Sequence, residues 1–141
     1  MSATQLATLA RTSAPQSALR RFLALDAAVT GANALAYLAF SGPLGRFLGV
    51  DSTLLLALGA FLTAYAAAVG LLASRRQPPA LGVRAVVEAN LVWTAVSLVA
   101  LALWLTPSTA GAVWTVLQSL TVAAFAALQY MALRARQGSS D

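Results

Sequence analysis

The stretch ANLVWTAVSLVALALWLTPSTAGAVWTVLQSLTVAAFAALQYMAL, residues 89–133, runs for 45 residues without a charge. One crossing of a bilayer takes about 20 predominantly apolar residues. The run is long enough for two crossings if the chain turns midway, and Leu105-Thr106-Pro107-Ser108-Thr109-Ala110-Gly111 supplies proline, hydroxyl residues and glycine at that point. Two membrane helices are expected, near residues 83–105 and 110–133.

Moving outward, 23 uncharged residues separate Asp51 from Arg75 and predict a third span near 53–73. The apolar run from about Ala18 to Phe40 holds no acid except Asp26 and no base past Arg21, which predicts a span near 19–40. The whole chain agrees with this division: 60% of its 141 residues are hydrophobic and 9% are charged, against about 25% charge in a soluble domain. Mean hydropathy is +0.77. The expected fold is all-α, a four-transmembrane-helix bundle over 18–137, with a polar tail over 1–17 and a short one over 138–141.

All nine basic residues are arginines, and they are unevenly placed. Arg11, Arg20 and Arg21 precede or open the first span, Arg75, Arg76 and Arg84 fill the second connection, and Arg134 and Arg136 follow the fourth span. Only Arg46 falls on the opposite side. Positive charge retained on the cytoplasmic face then puts both termini inside, in a multi-pass protein of the cell inner membrane. Arginines ahead of an apolar run that ends near Ala34-Leu35-Ala36 also fit a cleaved signal peptide, but Asp26 within the run and the run's length favour a retained span. The net charge of +5 is thereby a topology signal, and without aromatic interleaving it does not predict nucleic-acid binding.

In the first outer connection, Leu44, Phe47 and Leu48 lie at helical spacing after Pro43, which predicts a short interfacial helix, a cap or a lid. A weak echo links Gly31-Ala32-Asn33 with Glu88-Ala89-Asn90, and a parallel duplication of two hairpins is one explanation of it.

Polar residues inside lipid are costly and so are informative. Asp26, Thr30, Asn33 and Tyr37 share one helical stripe of the first span. Trp114, Gln118, Thr121 and Phe125 repeat that spacing in the fourth, with Gln129 at its edge. The third carries Asn90, Thr94, Ser97 and Trp104 on one side with Trp93 beside them, while Glu88 points well away from Asn90. Gly59, Thr63, Ala66 and Gly70 give the second span a small-residue stripe suited to close helix approach. By depth, Asp26, Glu88 and Gln129 could form an inner polar layer, and Asn33, Thr94 or Ser97, and Gln118 a second one.

With no cysteine or histidine, disulfides, thiolate or imidazole metal sites and histidine acid–base chemistry are excluded. No phosphate-binding glycine loop, nucleophile elbow or acidic metal cluster is present, so no catalytic residue, metal or cofactor is assigned. An enzyme is disfavoured. The ligand- or proton-binding candidates are Asp26, Thr30, Asn33, Glu88, Asn90, Trp93, Gln118 and Gln129. A membrane carboxylate that exchanges a proton suits a coupled carrier. The plainer alternative pairs Arg84 with Glu88 and covers Asp26 with Arg20 or Arg21, leaving the acids as helix locks. Two functions are therefore expected of the chain: small-molecule binding or proton-coupled transport, or a structural or accessory role in a membrane complex. The partners are the bilayer and a small ligand, a second copy or another membrane protein.

The segments Leu25-Asp26-Ala27-Ala28-Val29-Thr30-Gly31-Ala32-Asn33 and Glu88-Ala89-Asn90-Leu91-Val92-Trp93, set in four spans, give the chain a further likeness. It is similar to the small four-helix integral membrane proteins of high-GC bacteria, broadly the DoxX-like membrane proteins. That resemblance implies a bacterial four-helix bundle and carries no established activity or site residue.

Overall fold

The computed structural model describes residues 2–140, the side chains of 6–13, 139 and 140 excepted. Five helices follow one another: α1 (Ala3–Ala39), α2 (Ser41–Leu48), α3 (Ser52–Ser74), α4 (Ala80–Leu103) and α5 (Thr109–Ser140). Among the described residues, Ala14–Ala39, Ser52–Ser74, Ala80–Leu103 and Thr109–Gly138 are long and apolar enough to cross a membrane. The chain is thus an all-helical, multi-pass membrane protein with four spans and a short helix in its first connection. Its outward faces carry side chains such as Leu35, Leu71, Val92 and Met131, as a lipid-facing surface requires.

α1 begins at Ala3, ahead of the apolar span that starts at Ala14. Ser2 accepts from the backbone of Gln5 while the Gln5 side chain accepts from the backbone of Ser2, a reciprocal cap that starts α1 at Ala3.

The small-residue stripe of α3 seats against α1. An atom added at the Cα of Gly59 would lie 2.8 Å from Cγ of Leu38 and 3.2 Å from the carbonyl oxygen of Ala34, so the two backbones approach as only a glycine allows. Ala66 faces Gly31 and Gly70 faces Ala27 along the same contact, while Thr63 is exposed and bonds back to the Gly59 carbonyl.

α1 packs along both α3 and α5, and α5 packs along α4, whereas α3 and α4 barely meet. The bundle is therefore a ring with one open seam. A twofold duplication of the α1–α3 and α4–α5 hairpins would make α3–α4 the counterpart of α1–α5, and the packing does not have that symmetry.

Both ends of the ring are tied by polar contacts. At the end bearing the termini, Gln16 of α1 donates to the Arg76 carbonyl at 2.7 Å, and Arg136 of α5 donates to Gln16 at 3.0 Å and to the Pro78 carbonyl at 2.6 Å. At the other end, the Ser108 backbone donates to the Leu48 carbonyl and its hydroxyl to the Phe47 carbonyl at 2.7 Å. These bonds clamp α2 to the α4–α5 turn. Gly49 closes α2 in the left-handed conformation, φ 71°, with the Pro107–Ser108 backbone directly against it, so both conformation and space exclude a side chain there.

Candidate functional site

The four spans bring one buried carboxylate and its partners together from every helix of the ring. Asp26 of α1, Asn90 of α4 and Gln129 of α5 are each at most 3% exposed. Oδ2 of Asp26 accepts from Nδ2 of Asn90 at 2.9 Å and from Nε2 of Gln129 at 2.8 Å. Oδ1 accepts from the Thr30 hydroxyl, one turn on, at 3.1 Å. Asn90 Nδ2 also donates to Gln129 Oε1 at 3.2 Å, and Tyr65 of α3 reaches across the open seam to donate to Asn90 Oδ1 at 2.8 Å.

Three donors converging on two oxygens complement an ionised carboxylate, which only accepts. Among the described residues no arginine stands within ion-pair distance of Asp26. Arg20 is spent differently, donating Nε to the Ala73 carbonyl at 3.2 Å. The expected arginine cover over Asp26 is therefore replaced by neutral amides and hydroxyls. These can reach the buried position without bringing a second charge into lipid.

Glu88 does not join this layer. It shares the depth of Asp26 and Gln129, but it is exposed on the outer side of α4, in a shallow depression with Arg84, Ala123 and Tyr130. The expected Arg84–Glu88 ion pair is also not formed. The reason is azimuth: two positions along a helix turn the side chain by about 200°, so only one of Glu88 and Asn90 can face inward, and the neutral amide does.

A second polar layer lies further along the spans. Trp93 donates Nε1 to Oε1 of Gln118 at 2.8 Å, Thr94 reaches the Ser119 carbonyl at 3.2 Å, and Trp114 donates to the Tyr37 hydroxyl at 2.8 Å. Gln118 and Thr94 thus sit where depth placed them. Asn33 is half-buried and makes no side-chain hydrogen bond among the described residues. The inward face of α5 runs through Ser119, Ala126, Gln129 and Leu133, which leaves Thr121 exposed on its own helix and off the expected stripe.

Tyr65 and Ser119 were not among the sequence candidates. A tyrosine alone in an apolar span carries a signal, since its hydroxyl must find a partner inside the bundle. Ser119, 1% exposed, has no such mark beside Gln118.

Two cavities of about 260 Å³ each follow the α3–α4 seam. The one nearer the bilayer centre reaches Thr30 and Asn90, the direct partners of Asp26, between walls formed by Phe61, Tyr65 and Trp93. Phe61 stacks on Trp93 at 6.2 Å between ring centres and on Tyr65 at 6.3 Å, so the seam is bridged by rings instead of by packed backbones. The second cavity lies toward α2, whose Leu48 lines it together with Tyr37, Trp114 and Gln118. Trp93 and Val96 belong to both and stand between them.

Compared with protein-family models, with curated proteins and with solved structures, the chain matches none.

Proposed function

We propose that this chain is a DoxX-like protein of the bacterial inner membrane that binds a small molecule, with its arginine-bearing end toward the cytoplasm. The ligand passes sideways from the lipid through the α3–α4 seam. One observation carries this reading: the open seam leads by a cavity of about 260 Å³ to Thr30 and Asn90, which hold the fully buried Asp26. Pockets lined by apolar and aromatic side chains, with a few convergent polar groups, are the common form of small-ligand sites, and this cavity sits just under their usual lower size of about 300 Å³. Proton-coupled flux would draw on the same carboxylate, the only one buried in the described spans.

The test is saturable binding of an uncharged probe, 4-phenylbutanol, to the protein in lipid nanodiscs, corrected for uptake by empty nanodiscs. Saturation that Val122→Phe removes by filling the cavity wall supports the reading, and uptake equal to that of empty nanodiscs, for this probe and for its ammonium and carboxylate analogues alike, overturns it.

A structural or accessory role is the second reading. It is favoured by the saturation of the polar network, since no described buried side-chain nitrogen or oxygen lacks a hydrogen-bond partner. On that reading Asp26→Asn lowers stability without touching any ligand effect, and another membrane protein copurifies with the chain.

A further inference from the structure

We infer that the cavity beside Asp26 takes a small hydrophobic cation, an alkyl- or arylammonium; this rests on the ligand-binding reading above and names the ligand class.

The walls decide the class by what they have left to offer. Four side chains lining the cavity own polar hydrogens, and each has spent them elsewhere. The Thr30 hydroxyl donates to Asp26, the Tyr65 hydroxyl to Asn90, both amide hydrogens of Asn90 to Asp26 and Gln129, and the Trp93 indole to Gln118. With those hydrogens committed, the oxygens of Thr30, Tyr65 and Asn90 have only lone pairs left to offer a guest. An anionic guest meets no donor there. An ammonium meets acceptors only, and the Thr30 oxygen is made a better one because its hydrogen is held by a carboxylate.

Charge points the same way. The Asp26 carboxylate is 1% exposed and faces no arginine among the described residues, so its field is neutralised by dipoles alone. Thr30, which lines the cavity, has its hydroxyl 3.1 Å from Oδ1 of that carboxylate. A cation resting on Thr30 lies within short range of the anion in a medium that screens poorly. The stacked rings of Phe61, Tyr65 and Trp93 also line the cavity and accommodate an apolar tail beside the charge.

The experiment compares three probes of one shape in nanodiscs of zwitterionic lipid: 4-phenylbutylammonium, 4-phenylbutanol and 4-phenylbutyrate, each corrected for empty nanodiscs. The ammonium is expected to bind about tenfold more tightly than the alcohol, and the carboxylate not measurably. Asp26→Asn should erase the difference between ammonium and alcohol. Thr30→Val, which replaces the linking oxygen with a methyl group and leaves Asp26 its two amide donors, should reduce it and keeps the test open if Asp26→Asn fails to fold. The inference is overturned if the alcohol binds as well as the ammonium, or if the preference survives both substitutions. If no probe binds saturably, the ligand-binding reading itself falls.

Discussion

Gln129, on the last helix, donates its Nε2 to Oδ2 of Asp26, on the first, at 2.8 Å across 103 positions of chain. With Asn90 bonded to the same oxygen, α1, α4 and α5 share one buried acceptor. The two hairpins are thereby joined at the level where the ring is open on its other side.

Replacing that acceptor removes more than a charge. In Asp26→Asn one oxygen must serve where two served three donors, and the new amide turns its own hydrogens toward the hydrogens of a neighbour. Unfolding in detergent should show a loss of about 1–3 kcal/mol. An unchanged midpoint would mean that the network does not hold the helices together.

Glu88 offers the control. It is exposed, with no ion pair to Arg84, so Glu88→Gln should leave stability within about 0.5 kcal/mol of the parent. A loss matching that of Asp26→Asn would place Glu88 in a buried contact, as at an interface with another chain.

The Tyr65 hydroxyl tests the seam. Tyr65→Phe keeps the ring that stacks on Phe61 and deletes the 2.8 Å bond to Asn90. A cost of about 1 kcal/mol is expected, together with faster quenching of tryptophan fluorescence by a lipid-soluble quencher as α3 and α4 part. Quenching no faster than in the parent would show that this bond does not restrain the seam.

Two glycines of α3 should respond oppositely to the same change. A methyl at Gly59 meets Leu38 at 2.8 Å and must force α1 and α3 apart, costing about 1–3 kcal/mol. At Gly70 the nearest atom is Cβ of Ala27 at 3.8 Å, an ordinary contact. Gly70→Ala should therefore be neutral or stabilising by up to about 1 kcal/mol, through helix propensity. Equal effects at the two positions in thermal unfolding would contradict the close approach at Gly59.

The spans, the interfacial helix and the small-residue seat of α3 were legible because each depends on local composition: uncharged length, Leu44, Phe47 and Leu48 after Pro43, and Gly59 to Gly70 at helical spacing. The site was half legible. Depth put Asp26 and Gln129 in one layer, and they meet there; Asn90 was legible as a polar residue of its span but not as the third member of that layer. Glu88 was placed by depth alone, although its angle to Asn90 already required one of the two to face lipid. The identity of the open seam was not legible. Helix neighbours are a property of the ring, and α3 and α4, joined by a five-residue link that includes Pro78 and Pro79, would ordinarily be expected to pack.

A cleft that faces hydrocarbon is never empty in a bilayer. Acyl chains would lie along Phe61 and Trp93 whenever no other guest did, as the solvent of a membrane protein in the way water is for a soluble one. On the ligand-binding reading a guest must displace them, so its apparent affinity would vary with tail length and saturation even if no protein contact changed. Lipid composition is in that sense a competitive inhibitor, and dose–response curves for this chain have meaning only alongside the membrane in which they were measured.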